Sequence, residues 1–231
     1  MSPQRQAEKL RFKKQFFTQR VRRVCLSATR RAMVIIGLCG NSGSGKGYVS
    51  SGFAKYGVAF IDTDLVYRQE VLTDECCVSE LCQSFGYGIL ENGMVSKKRL
   101  AASVFEGEGS SLRLSRLNEI THKYIKVKTD LYVDKYKREG YSAVLIDAPV
   151  LFESGFDKMC DVTLCVTASL EEKLERIMKR DGITVEKAQA RLDAQLPQDE
   201  LVKRCTYSID NSLGADVDGQ IKAILKDLNI D

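Results

Sequence analysis

Hydrophobic and polar positions alternate along the chain in blocks. Five short apolar runs stand out: Met33-Val34-Ile35-Ile36-Gly37-Leu38-Cys39, Val58-Ala59-Phe60-Ile61, Ala143-Val144-Leu145-Ile146-Asp147, Val162-Thr163-Leu164-Cys165-Val166 and Tyr207-Ser208-Ile209. Nearly continuous apolar runs of this length are the pattern of strands buried on both faces. Helical spacing fills the gaps. Tyr48 to Tyr56 reads as a first helix ending at Gly57, and residues 65–110 as short helices joined by turns such as Gly86-Tyr87-Gly88 and Glu91-Asn92-Gly93. Leu117, Ile120, Tyr124, Val127 and Leu131 recur at three and four, predicting a long amphipathic helix. Ser169 with Glu172 forms a capping box for a helix carrying Arg176 and Arg180, which Asp181-Gly182 ends. A second helix runs from Thr184 through Arg191 to Gln195 and stops near Pro197, and a last one spans about Ala215 to Leu228. Strands separated by helices predict a parallel sheet covered on both faces.

The first run leads into Gly40-Asn41-Ser42-Gly43-Ser44-Gly45-Lys46. A strand, a glycine-rich turn and a helix start form a phosphate cradle: backbone N–H groups converge on one anion and the helix dipole adds positive potential. Lys46 supplies a charge for the outer phosphates. The spacing G-x-x-x-x-G-K fits the P-loop pattern, except that Gly47 stands where a Ser or Thr would hold Mg²⁺. The expected architecture is therefore α/β, of the P-loop kinase type. It has three layers, a five-stranded parallel sheet, a helical lid at about 176–200 and a helical substrate-side insertion.

Acids end two of the other strands. Asp62-Thr63-Asp64 follows Ile61, where parallel sheets place their ligands, so one carboxylate there is a base for an attacking hydroxyl or a water-mediated holder of Mg²⁺, unless Asp64 is a helix N-cap. Asp147 has the form of a Walker B acid, reaching a metal through water. Arg68 lies one helical turn beyond Asp64 and is either an anion contact or a surface arginine. His122, the one histidine in the chain, lies off the apolar stripe of the long helix, so it is structural or at most a substrate contact. The arginine-bearing hairpin is either a lid that excludes water or a solvated charged surface.

Composition narrows the partners. In 231 residues, 44% are hydrophobic and 29% charged, ordinary for a globular chain. The net charge of +4 is uneven. Residues 1–32 carry ten Arg or Lys against Glu8 alone, leaving 25 basic and 30 acidic residues in the remainder. This stretch reads as a transit peptide, a nucleic-acid-binding arm, a tail, or sequence ahead of a true start at Met33. We treat it as a poorly ordered extension beside a kinase domain at 33–231. No apolar run reaches the roughly 20 residues of a membrane span. The eight cysteines include no C-x-x-C pair, which gives no support to a zinc site and suits a reducing cytoplasm.

Together the phosphate loop, Ile61-Asp62-Thr63-Asp64 with Arg68-Gln69, and Leu117-Asn118-Glu119-Ile120-Thr121-His122 resemble blocks of the dephospho-coenzyme A kinase family. So do Asp147-Ala148-Pro149-Val150-Leu151-Phe152-Glu153, Arg176 through Thr184, and Ile209-Asp210-Asn211, and the resemblance covers residues 33–229. It implies ATP-dependent phosphorylation of the ribose 3′-hydroxyl of dephospho-CoA, with ATP and Mg²⁺ required. Asp64 matches the general base. Lys46, with the segment Gly40, Asn41, Ser42, Gly43, Ser44, Gly45, Gly47 and Tyr48, matches the ATP-phosphate site. Arg176 and Arg180 match lid positions near the transferring group, and Asn211 the segment near the adenine. Arg68, His122 and Glu153 fall on the acceptor side. Two departures stand out: Gly47-Tyr48 replaces the usual Ser-Thr, and Lys123 replaces the proline usual after the histidine. The resemblance implies neither membrane nor nucleic-acid partners. Alternatives are a kinase with another acceptor, or a nucleotide-binding relative without turnover.

Overall fold

The computed structural model describes residues 32–230. The expected extension at 1–32 lies outside the described residues apart from Ala32. Strands β1 (Val34–Cys39), β2 (Ala59–Asp62), β5 (Ala143–Asp147), β6 (Val162–Thr167) and β7 (Tyr207–Asp210) form one sheet in the order β2-β5-β1-β6-β7. Every pairing in it is parallel, as the apolar runs predict.

Side chains alternate across this sheet, so each strand feeds two cores. On one face Ile61, Val144, Ile146 and Cys165 pack under the insertion. The insertion comprises α2 (Thr63–Val66, prolonged by a wide turn at Tyr67–Val71), α3 (Glu75–Phe85), α4 (Lys97–Phe105) and α5 (Ser110–Glu139). On the other face Ile36, Leu38, Leu145, Leu164 and Ile209 meet α1 (Lys46–Ala54) and α9 (Val217–Asp227) through Val49, Phe53 and Ile221. Ile36, Leu145 and Phe53 are wholly buried, each contributing about 1.5–3 kcal/mol. The arginine hairpin is α6 (Leu170–Asp181) and α7 (Val185–Asp193), with a small core of its own at Ile177, Ala188 and Leu192. Helix α8 (Gln198–Arg204) returns the chain to β7.

Two expectations change. In α5 the hidden residues are Ile120, Thr121, Ile125 and Thr129, whereas Val127 and Leu131 of the anticipated stripe are exposed. Two threonines sit on the buried face, and their polarity masked it in the pattern; Thr121 satisfies its hydroxyl by donating to the Leu117 carbonyl oxygen. The insertion also holds a small hairpin, β3 (Leu90–Glu91) and β4 (Met94–Val95), around Asn92-Gly93. Both turn residues have positive φ, 52° and 78°, the type I′ geometry that asparagine and glycine tolerate. Strands of two residues are too short to alternate visibly.

Candidate active site

β1 is the middle strand of the sheet, and the glycine-rich loop hangs from its carboxyl end. Gly45, with φ +89°, caps α1. A Cβ there would lie 2.1 Å from Asn211 Nδ2, so both conformation and space demand glycine. Helix α1 has no side-chain cap and no acid in its first turn, which leaves its leading N–H groups available to an anion. Lys46 folds back over the loop and donates to the Gly40 carbonyl oxygen at 3.1 Å. Ser44 Oγ and Asn41 Oδ1 are buried with no protein partner, as expected of a cradle that a ligand completes.

The loop is held from behind by its carbonyls. Arg176 donates to the oxygens of Gly43 (3.2 Å) and Ser44 (3.4 Å), and to Asn211 O (2.9 Å). Glu172 holds the same guanidinium at 3.0 Å, and Asn211 Nδ2 donates to Ser44 O at 2.8 Å. Because the peptide is planar and trans, a carbonyl held on one side turns the next N–H to the other. Gly45 N–H therefore points away from Asn211. The side chain of Asn211, which sequence reasoning assigned to the nucleotide base region, is buried and bonded to the loop.

Register brings the acids to this same edge. Asp147 lies opposite Leu38 across β5 and β1, and opposite Asp62 across β5 and β2. Burial, with Asp62 and Asp64 nearby, pushes the Asp147 carboxyl up to about 6 against the pull of Lys46. Its Oδ1 is buried without a partner. The N-cap of α2 is Asp62, which accepts from Leu65 N at 2.9 Å; Asp64, two positions further along, is already inside the helix. Asp64 is instead exposed and lines a hollow of about 250 Å³ with Tyr67, Asn118, Thr121 and His122. His122 is half-buried there, and burial lowers the pKa of its imidazole.

Not every expected residue joins this hollow. Glu153 lines a neighbouring hollow of about 380 Å³ with Gly40, Asn41, Gln195 and Leu196. Arg68 is exposed and lines neither of the two. Arg180 is paired with Asp181 at 2.8 and 2.9 Å, and Arg191 joins the same carboxylate. Together the two arginines hold Asp181 down to about 2. Tyr48 is exposed. At Gly47 a Cβ would meet nothing within 4 Å, and Ser50 and Ser51 both turn back to its carbonyl oxygen, at 3.0 and 2.8 Å.

Sequence reasoning missed Gln195 as a site residue. Its Oε1 accepts from Ser42 N at 2.9 Å while Asn41 Nδ2 donates to Leu196 O at 2.9 Å, so the end of the hairpin is tied to the loop. A polar residue just before Pro197 was the available signal, and it fixes no distance to a loop 153 residues earlier.

A phosphate cradle on the middle strand, acids at the tips of both β2 and β5, and an arginine hairpin beside them define a P-loop kinase. The family model for dephospho-CoA kinase matches residues 34–216. A dephospho-CoA kinase of Bacillus cereus is 34% identical over 199 residues, covering 85% of this chain and 98% of that relative. One from Lactobacillus johnsonii is 32% identical over 178 residues, covering 77% and 88%. Among solved structures, TT1252 from Thermus thermophilus superposes with a TM-score of 0.70 at 30% identity, covering 85% of this chain and 98% of that one. The dephospho-CoA kinase of Campylobacter jejuni, at 21% identity and TM-score 0.61, shares the fold over 84% of this chain and 96% of its own. This chain belongs to the dephospho-CoA kinase family.

Proposed function

We propose that this protein transfers the γ-phosphoryl group of ATP to the ribose 3′-hydroxyl of dephospho-CoA, giving CoA and ADP, the last step of CoA biosynthesis. The observation that carries the reading is the register of β1, β5 and β2, which sets the phosphate cradle, Asp147 and the Asp62–Asp64 turn on one edge of the sheet.

Each residue then takes a part. The loop amides from Gly43 to Tyr48 and the Lys46 ammonium hold the triphosphate. Arg176 and Asn211 keep the loop carbonyls turned outward, so no reorganisation is needed when charge develops. Asp64 accepts the proton of the attacking hydroxyl. Asp62 is committed to its cap and Asp147 is half-buried near Lys46, whereas Asp64 opens on the hollow that receives the acceptor. His122 and Asn118 line that hollow and orient the sugar. Arg180 leaves Asp181 to face the transferring group, and Arg191 keeps the released carboxylate paired.

Mg²⁺ fits the donors present. Asp147 offers one buried carboxylate oxygen, and among the described residues no group of three or more His, Cys, Asp or Glu is placed to hold a metal. That suits a hard cation carried in by phosphates and water, with Asp147 as its protein anchor. Held there, Mg²⁺ would supply charge neutralisation for the phosphates. No helix among the described residues is long and apolar enough to cross a membrane.

The test is ADP release from purified protein with Mg-ATP, with and without dephospho-CoA, and mass detection of CoA. Acceptor-dependent ADP and CoA are expected. ADP release with another hydroxyl acceptor but not this one would overturn the substrate, and ATP binding without any transfer would overturn the activity.

A further inference from the structure

Three thiols converge directly behind the phosphate loop. Cys39 ends β1, immediately before Gly40. Cys165 is its partner across the β1–β6 register. Cys205 closes α8, and its Sγ lies 3.4 Å from Cys39 Sγ, although 166 residues separate them. Cys39 and Cys165 are buried and Cys205 is half-buried, so the trio has one sulfur near solvent. The chain is held on both sides of this thiol: Cys205 N donates to the Leu201 and Val202 carbonyl oxygens at 3.1 and 3.2 Å, and at the next residue Thr206 N donates to Thr163 Oγ1 at 3.1 Å while Thr163 N donates to Thr206 Oγ1 at 3.2 Å.

A buried cation sits beside them. Lys173 is 7% exposed, and its ammonium donates to Gln198 Oε1, a neutral partner, at 3.0 Å. Its charge acts on Cys165. A cation beside thiols favours their thiolate form, while burial lowers the pKa of Lys173 itself. Hydrogen bonding from Cys165 and Cys39 pulls the Cys205 thiol below the ordinary cysteine value. Burial, by contrast, pushes Cys77 and Cys160 up to about 12.

We propose that Cys39 and Cys205 are a peroxide-oxidisable dithiol whose disulfide distorts the first residue of the phosphate loop. The Cys205 thiolate attacks one oxygen of hydrogen peroxide. The O–O bond breaks, hydroxide leaves and takes up a proton as water, and Cys205 becomes a sulfenic acid. The Cys39 sulfur then attacks the sulfenic sulfur. The S–S bond forms as the S–O bond breaks, and the hydroxyl leaves as water with the Cys39 proton. Two electrons pass from two thiols to peroxide, giving one disulfide and two waters.

A disulfide brings its sulfurs to about 2.05 Å, so the present 3.4 Å separation must close by more than an ångström. With Cys205 N held by α8 and Thr206 held by Thr163, part of the movement falls on Cys39. Gly40 has no slack to absorb it: a Cβ there would lie 2.6 Å from Val166 O, and its own carbonyl holds Lys46. The disulfide stands independently of the nucleotide reading; only its consequence for ATP rests on it.

The test treats reduced protein with stoichiometric hydrogen peroxide, alkylates free thiols, and maps the digest without reductant. A peptide pair joining Cys39 to Cys205, two mass units lighter than the thiols and released by dithiothreitol, is expected. The KM for ATP should rise about tenfold and recover on reduction. Cys205→Ala should keep the reduced activity and lose the response, and Cys165→Ala should retain it. If Cys205→Ala misfolds, Cys39→Ala carries the same test. Linkage through Cys165, oxidation confined to exposed Cys76, or no linkage overturns the site, and a linked protein with unchanged KM overturns the coupling. Reduced protein that binds no ATP would fail the kinase reading and leave the linkage result intact.

Discussion

Asn211 and Ser44 are joined by a 2.8 Å hydrogen bond from the amide Nδ2 to the main-chain oxygen, which fastens the tip of β7 to the underside of the phosphate loop. Together with Arg176 it fixes which way the loop carbonyls face. Removing the amide with Asn211→Ala leaves a partly shielded carbonyl with one fewer donor and costs about 1–2 kcal/mol of stability. Gly45→Ala drives a methyl into the same amide and forces an L-residue to φ +89°. Efficiency with ATP should fall by about 100-fold or more in Gly45→Ala, measured as kcat/KM at fixed acceptor. Equal, mild effects from both changes would show that the loop is not braced from this side.

Asp62 and Asp64 are two residues apart and separable. Asp62→Ala removes the α2 cap and should lower stability by about 1 kcal/mol in urea titration. Asp64→Asn should leave the urea midpoint in place while kcat falls by about 100-fold or more. Retained turnover in Asp64→Asn would move the proton acceptor elsewhere.

Gly47→Ser restores a hydroxyl at a position with no atom within 4 Å of the new Cβ. Replacing a helical glycine should itself stabilise the chain by about 0.5–1 kcal/mol. The Mg²⁺ concentration giving half-maximal rate should drop several-fold. An unchanged Mg²⁺ requirement would mean that water fills the position equally well.

Asp147 has a definite pH signature. Its native carboxyl, near 6, titrates above the unfolded value of 3.8, so the native state keeps a proton the unfolded chain releases. That contribution is present below the unfolded value and is lost as pH rises through about 6. In metal-free buffer, Asp147→Asn should therefore gain stability over the parent between about pH 4 and 7, by up to about 3 kcal/mol. Thermal melts across this range read the gain. A constant difference at all pH values would refute the burial argument.

Much of this was legible in the chain because buried parallel strands write themselves as apolar runs. All five strands and the capping box at Ser169 and Glu172 match their patterns within a residue or two. The phosphate loop was legible because glycine spacing encodes backbone geometry. What stayed hidden depends on distance between remote segments. Nothing near Asn211 or Arg176 in sequence says that both reach the carbonyl of Ser44. The same is true of Gln195 meeting Ser42, and of Cys205 meeting Cys39. In α5 the hidden threonines defeated the pattern for a different reason, since hydrophobicity is a poor guide where polar residues lie on the buried face, as Thr121 does with its hydroxyl satisfied by its own helix.

The two ties of Asn41 and Ser42 to Leu196 and Gln195 moor the returning leg of the arginine hairpin, and Arg176 moors the outgoing leg. A span anchored at both feet does not swing open like a door. The part free of both anchors is its crown, around Gly182 and Thr184, where Asp181 clasps Arg180 and Arg191. Arrival of a nucleotide at the anchorage therefore sets the tension of the whole arch, and the arginines respond without any large travel.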